Sequence, residues 1–166
     1  MNSASASASP TAYILSDIMT YGTRQEVAYI ERALTKAGIS YYSPMRNKEI
    51  NDKQTCDNDN LSERIVAADM AKIHRAKLII CNVRQDAIGS LCEIGTIWEW
   101  NHQHPTERKH FIALSSDIRR TSVPETGDRR SFSYNAFLYG LLLGLTDGQG
   151  IIDFSDLPNA LARLKL

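Results

Sequence analysis

An apolar run in the middle of the chain places the strongest constraint on its fold. Residues 77–83 read Lys-Leu-Ile-Ile-Cys-Asn-Val, and a polar loop and a helix-like segment follow them. A strand that is apolar at successive positions is buried on both faces, as a central strand of a parallel sheet is. Parallel strands need long crossover connections, which are usually helices. The sequence therefore predicts an α/β protein built around this strand.

Strand and helix patterns alternate along the rest of the chain. The predicted strands cover residues 12–16, 39–43, 77–83, 109–114 and 151–154. The predicted helices begin near residues 23, 60, 91, 132 and 156. This alternation predicts a doubly wound, five-stranded parallel sheet with helices on both faces. In the flavodoxin-like strand order 2-1-3-4-5, ligands bind outside the carboxyl ends of the first and third strands.

Length and composition narrow the class of protein. The chain has 166 residues, and we expect one domain over residues 12–166 after a disordered Ala- and Ser-rich tail at 1–11. The 19 basic and 19 acidic side chains cancel, which argues against a nucleic-acid polymer as partner. Three cysteines without a CxxC pair indicate a reducing compartment. The tail has no signal-peptide pattern and the longest apolar run is too short to cross a membrane, so we expect a cytoplasmic protein.

Polar residues follow the first and third predicted strands and are the first candidates for a site. Ser16, Asp17 and Tyr21 come after the first strand, whereas Asp86 and Gly89 come after the third. Because the carboxyl ends of these strands meet at the switch point of the sheet, we expect the two loops to form one crevice. The four histidines have no ligand partners at suitable spacing, and no metal site is predicted.

Three carboxylates, Asp69, Asp86 and Glu93, are expected to converge on this crevice, with Tyr13 and Tyr21 supplying a hydroxyl and a stacking face. Near a helix start, Glu93 lies beside unpaired N–H groups and the positive end of a dipole, which favour its charged, nucleophilic form. Gly89 lets a ligand approach the backbone.

Each carboxylate also has a structural interpretation. Ser90-x-x-Glu93 is itself a capping-box pattern, so Glu93 could serve only the end of its helix. Asp69 lies in mid-helix, where a solvated residue paired with Lys72 is common. Asp86, in a polar loop, is typical of a turn former. Gly95, early in the same helix as Glu93, predicts close packing against a neighbouring strand.

Four segments in the right order resemble the nucleoside 2-deoxyribosyltransferases. They are Ala-Tyr-Ile-Leu-Ser at 12–16, Ala-Ala-Asp at 67–69, Gly-Ser-Leu-Cys-Glu-Ile-Gly at 89–95 and Phe-Ser-Tyr-Asn-Ala-Phe-Leu at 132–138. The Gly-x-x-x-Glu-x-Gly element after a strand is the most specific of the four. The resemblance covers roughly residues 12–155.

The resemblance implies transfer of a 2-deoxyribosyl group between nucleobases, a reaction of nucleotide salvage, with no cofactor and no metal. Glu93 would be the nucleophile of a double displacement, Tyr13 would orient its carboxylate, and Asp69 would give a proton to the leaving base. The remaining residues expected to contact substrate are Ser16, Asp17, Tyr21, Asp86, Gly89 and Asn135.

The expected partners are deoxynucleosides and free nucleobases. The apolar segment at 132–145 covers more than one helix face, which predicts a homo-oligomer. The resemblance implies that Asn135 then reaches the sugar bound by a neighbouring subunit. Two alternatives remain open from the sequence. One is a nucleoside or nucleotide N-glycosidase of the same fold, and the other is a nucleotide-binding module without catalysis.

Overall fold

The computed structural model describes residues 11–52, 55–117 and 134–164. Within these ranges the sheet has five parallel strands: β1 (Ala12–Leu15), β2 (Tyr41–Tyr42), β3 (Leu78–Asn82), β4 (His110–Ser115) and β5 (Ile151–Asp153). Their order is β2-β1-β3-β4-β5 and every neighbouring pair is parallel. The predicted α/β class, strand number and flavodoxin-like order are therefore confirmed.

Helices cover both faces of this sheet. They are α1 (Tyr21–Lys36), α2 (Lys48–Asn51), α3 (Leu61–Arg75), α4 (Ile88–Gln103), α5 (Ala136–Leu145) and α6 (Leu157–Arg163), with short 3-10 turns at Pro44–Arg46 and Phe154–Asp156. None of the helices in the described ranges is long and apolar enough to span a membrane.

Alternation along the strands divides the core into two layers. Tyr13 and Leu15 of β1 point to the layer that contains α3, α4 and α5, whereas Ala12 and Ile14 point to the layer that contains α1 and α6. All five residues of β3 are buried. Burial on both faces explains why the sequence of this strand is apolar at successive positions.

Two helices begin earlier than the sequence patterns predicted. A capping box was expected at Thr23 and Glu26, but Thr20 and Thr23 form it and α1 begins at Tyr21. Helix α4 was expected from Leu91, but it begins at Ile88 after Ala87. The shift at α4 moves Glu93 into the second turn, beyond the unpaired N–H groups of the first.

The polar segment at 45–59 was expected to lack periodic structure. Its first part instead contains the 3-10 turn Pro44–Arg46 and helix α2. Arg46 fastens this turn to α1 through a bidentate pair with Glu31, a carboxylate that is only 5% exposed. The predicted tail up to residue 10, residues 118–131 of the second polar loop, and Phe132 lie outside the described residues.

Candidate active site

A cavity of about 620 Å³ opens at the carboxyl ends of β1 and β3. Its walls come from the loop after β1, from α3, from the loop after β3 and from the start of α4. The lining includes Tyr13, Ser16, Asp17, Asp69, Asp86, Gly89 and Glu93 among the residues that the sequence singled out. Ligand sites of this fold class lie at the same switch point of the sheet.

Glu93 meets the first strand through one hydrogen bond. The Tyr13 hydroxyl donates to Glu93 Oε1 at 2.9 Å, which joins residues 80 positions apart in sequence. Tyr13 is 1% exposed, so a packed ring holds the hydroxyl in place. Glu93 also lines the cavity.

The alternative role of Glu93 as a capping residue does not fit this geometry. Helix α4 is capped at Ala87, which has no side-chain capping bond, and Ser90 already lies inside the helix. The described hydrogen bond of the Glu93 carboxylate goes to Tyr13 rather than to a backbone N–H of its own helix. Glu93 therefore points away from its helix end and into the cavity.

Burial, not the helix dipole, dominates the ionisation of Glu93. The pKa of Glu93 is raised to about 7: burial has the largest effect, the hydrogen bond from Tyr13 opposes it, and the charge of Asp69 adds to it. The expectation that the helix start would favour the charged form was therefore wrong in direction. At neutral pH a substantial fraction of Glu93 is still ionised.

Asp69 is the second carboxylate of the cavity. Its Oδ1 atom is buried and has no hydrogen-bond partner in the described part of the chain. The pKa of Asp69 is raised to about 6 because burial raises it more than the nearby Tyr42 side chain lowers it. The expected local pairing with Lys72 is not seen, since the Lys72 ammonium lies over the Tyr42 ring, 5.4 Å from its centroid.

Asp86 lies at the rim of the cavity and pairs with Arg84. The guanidinium donates to both carboxylate oxygens, at 3.1 and 2.9 Å. This neighbour lowers the pKa of Asp86, which stays charged at neutral pH. Asp86 therefore lies in a turn, as the sequence predicted, and it also lines the cavity.

The loop after β1 is held by a polar network. Ser16 Oγ accepts from Asn82 Nδ2 at 3.2 Å, and Asn82 also donates to Glu26 Oε2 at 2.8 Å. Asp17 Oδ1 accepts from the Met19 backbone N–H. These bonds fix the floor of the cavity between α1 and the ends of two strands.

Three predicted features lie elsewhere. Tyr21 is 80% exposed at the start of α1 and does not line the cavity. Asn135 caps α5, because its Oδ1 accepts from the backbone N–H groups of Phe137 and Leu138. Gly95 was expected to pack closely against a strand, but a Cβ there would meet no described atom within 4 Å.

Sequence reasoning missed several wall residues. Met19, Ile65, Val66, Met70 and Ile88 give the cavity an apolar lining, and Met19, Val66 and Ile88 are strongly exposed at its mouth. An apolar lining with a few placed polar groups is typical of a small-molecule site. Within the described residues, no cluster of three or more His, Cys, Asp or Glu could hold a metal ion.

Comparisons with known proteins identify a solved structure with the same fold. No family model and no curated protein sequence matches the chain. Among solved structures, the chain is similar to a 2-deoxyribosyltransferase from the psychrotolerant bacterium Bacillus psychrosaccharolyticus. The TM-score is 0.59 at 16% sequence identity, and the match covers 89% of this chain and 90% of the other. The two proteins share a fold over nearly their whole length.

Proposed function

We propose that this protein transfers a 2-deoxyribosyl group between nucleobases. The observation that carries the proposal is the pairing of Glu93 with Tyr13 in the wall of a cavity that Asp69 also lines. A retaining glycosyl transfer requires a nucleophilic carboxylate and a second carboxyl group that can carry a proton. Glu93, held by the Tyr13 phenol, and Asp69 are two such groups. The fold shared with a 2-deoxyribosyltransferase supports the same reaction class.

The first half of the reaction releases a base. An oxygen of Glu93 forms a bond to the anomeric carbon while the bond from that carbon to the base nitrogen breaks. The electron pair of the broken bond leaves with the base, and the proton of Asp69 moves to it. The sugar is then held as an ester of Glu93, and Asp69 is ionised.

The second half reverses these steps with a different base. A nitrogen of the acceptor base forms the new bond to the anomeric carbon, and the ester oxygen leaves as the Glu93 carboxylate. The proton that the acceptor nitrogen loses returns to Asp69. Two inversions retain the configuration of the sugar, and the kinetics are ping-pong.

This scheme needs Glu93 ionised and Asp69 protonated. The pKa of Glu93 is raised to about 7 and the pKa of Asp69 to about 6, so the pair carries one proton between these values. Because the two pKa values lie close together, the pair shares one proton in this range, and part of the singly protonated population has it on Asp69, in the reactive arrangement. We expect exchange to be fastest between about pH 6 and 7 and to fall on both sides.

The charges of the cavity favour a nucleoside over a nucleotide. Among the described lining residues, Asp17, Asp69, Asp86 and Glu93 are acidic, and none is Lys, Arg or His. A phosphate group beside Asp17, Asp69 or Glu93 would meet repulsion, and the guanidinium of Arg84 at the rim is already paired with Asp86. The substrate class we propose is therefore an uncharged deoxynucleoside with a free base as acceptor.

The test is a base-exchange assay with a deoxynucleoside and a different free base, followed by chromatography. We expect the new deoxynucleoside with the wild type and a loss of at least about 10³-fold with Glu93→Ala, which removes the nucleophile. The matched control is Glu99→Ala, an exposed position on the same helix. Free deoxyribose without exchange would identify a hydrolase, and no turnover of any nucleoside would leave a binding module.

A further inference from the structure

A second cavity lies at the amino ends of β3 and β4, the ends opposite the candidate active site. Its volume is about 380 Å³, and its walls come from the end of α3, from α4 and from the residues that lead into the two strands. The backbone N–H of His110 donates to the carbonyl oxygen of Lys77 at 2.8 Å, which joins the two strands beside this cavity. The proposed reaction uses none of the residues that line it.

The charges that line this cavity are unequal in sign. Of the described lining side chains, one is a carboxylate, Glu107, and four are cationic, namely Arg75, Lys77, Arg108 and Lys109. The whole chain has as many basic as acidic side chains, so the local excess does not follow from composition. A concave surface lined by one sign of charge concentrates ions of the opposite sign.

Lys109 is the buried cation of this cavity. Its Nζ donates to the carbonyl oxygens of His74 and Ala76 at 2.9 and 3.0 Å and lies 4.8 Å from the centroid of the Trp100 ring. The His74 ring stacks on the same indole, with centroids 4.9 Å apart. These contacts join α3, α4 and the start of β4 and give the cavity a fixed wall.

The exposed cations are less fully paired. Arg75 and Lys77 are exposed and form no ion pair within the part of the chain that the structure describes. Arg108 is also exposed and pairs with Asp147 at 3.0 Å. A guanidinium has five N–H donors and an ammonium has three, so these side chains can bind an acceptor that enters the cavity.

The dipole of α3 explains only part of this basic cluster. Cations complement the negative end of a helix, and Arg75 lies in the last turn of α3. Lys77 and Arg108 lie outside the helices, and Lys109 already donates to the carbonyl oxygens at the end of α3. The cations of the connecting segments therefore need another explanation.

Trp100 adds a donor without an acceptor. Its Nε1 atom is buried and has no hydrogen-bond partner among the described residues, and the side chain lines the same cavity. Native proteins pair most of their buried donors. The cavity is thus rich in donors and cations and poor in acceptors, a composition that favours an anion.

We propose that this cavity binds a small multivalent anion of the phosphate-ester class, with Arg75 and Lys77 supplying the charge that recognises it. A phosphate monoester carries nearly two negative charges and three acceptor oxygens, which suits several cations placed around one concavity. A carboxylate has one charge and two oxygens and would leave part of this set unpaired. The site is separate from the candidate active site, and the inference does not depend on the proposed function.

The experiment measures binding of pyrophosphate to the full chain by isothermal titration calorimetry at low salt. We expect saturable binding by the wild type and an affinity about 5-fold lower for Lys77→Met and for Arg75→Met, each of which removes one exposed cation. The matched control is Lys36→Met, because Lys36 is an exposed cation in the last turn of α1 and does not line this cavity. It should bind as the wild type does.

Two calorimetric outcomes overturn the inference. One is the absence of binding at millimolar pyrophosphate. The other is an equal loss of affinity in Lys36→Met and Lys77→Met, which would mean a general attraction between the anion and basic side chains. Arg75→Met lies on a different element from Lys77→Met and keeps the test valid if one of the two variants does not fold.

Backbone amide shifts in an isotope-labelled sample locate the bound anion. We expect pyrophosphate to shift the signals of Lys77, Trp100 and His110. Shifts centred on Gly89 and Glu93 would place the anion in the candidate active site and overturn the inference. Neither measurement uses base exchange, so a negative exchange assay leaves this test unaffected.

A single-stranded oligonucleotide without terminal phosphates separates a small ligand from a polymer. Each phosphodiester along it carries one charge, and its affinity depends on many such contacts. We expect the oligonucleotide to bind more weakly than pyrophosphate. Tighter binding of the oligonucleotide that is lost in Lys77→Met would identify a nucleic-acid surface and overturn the small-anion site.

Discussion

At Glu93, three effects of different size act on one carboxylate. Its pKa rises from 4.5 to about 7, and a pKa change of one corresponds to about 1.4 kcal/mol, so the folded protein disfavours the charged form by roughly 3 kcal/mol. A helix start offers about 0.3–1 kcal/mol to an anion, and only within the first turn. The hydrogen bond from Tyr13 opposes burial but does not cancel it. Burial therefore determines that the pKa of Glu93 is raised rather than lowered.

The free-energy cost of charging Glu93 in the folded protein predicts that Glu93→Gln stabilises the protein in a pH-dependent way. Between pH 4.5 and about 7 the folded protein binds more protons at this position than the unfolded chain, so its stability falls as pH rises through that window. Glutamine avoids the charge and can still accept from Tyr13. We expect Glu93→Gln to raise the free energy of unfolding by up to about 3 kcal/mol at pH 8 and by little near pH 5.

Urea unfolding of both proteins at pH 5 and pH 8 measures this difference. Glu99→Gln, on the exposed side of the same helix, controls for the general effect of removing a carboxylate. An equal gain for Glu93→Gln at both pH values would mean that Glu93 is not held in a site that disfavours its charge.

At the scale of elements, the two helix starts that sequence patterns misplaced have a common cause. Glu26 and Glu93 each stand three residues after a Thr or Ser, as in a capping box. Each is instead bound by a distant residue: Glu26 by Asn82, 56 positions away, and Glu93 by Tyr13, 80 positions away. Local patterns located these helices to within a turn, but they do not contain the partners that determine each glutamate's role.

Lys109 gives an element-scale prediction, because one side chain joins α3 to β4. It is 5% exposed, and its Nζ donates to the carbonyl oxygens of His74 and Ala76 at 2.9 and 3.0 Å, at the end of α3. A cation there also complements the negative end of the helix dipole. Lys109→Met leaves these carbonyls without the ammonium, and we expect a loss of about 2 kcal/mol in unfolding free energy.

Lys77→Met is the matched control for Lys109→Met, because Lys77 precedes β3 at the same end of the parallel strands but is exposed. Urea unfolding at pH 7 should separate the two variants by most of the expected loss. Equal stability of both would show that water replaces the ammonium of Lys109 without cost.

At the scale of the whole molecule, topology determines which residues can meet. The alternating pattern predicted a doubly wound parallel sheet, and its flavodoxin-like strand order places the ends of β1 and β3 side by side, with Tyr13, Asp69 and Glu93 around one cavity. The contacts of Tyr42 could not be predicted in this way. Its stacking on Tyr13 depends on β2 pairing with β1 in one register, its hydroxyl is held by a hydrogen bond from Asn47, and neither contact leaves a local pattern.

The outward face of α5 carries the last prediction, that the protein is a homo-oligomer. Phe137 is 76% exposed and Gly140, three residues on, is exposed beside it, while Leu138, Tyr139 and Leu142 are buried in the core. An exposed aromatic ring beside a glycine offers apolar area that a second copy could cover.

We expect wild type to sediment as an oligomer and Phe137→Glu to sediment as a monomer with reduced exchange. Tyr21→Glu, which charges another exposed aromatic residue, should remain oligomeric. A wild type that is monomeric at assay concentration, with full exchange, would contradict the prediction.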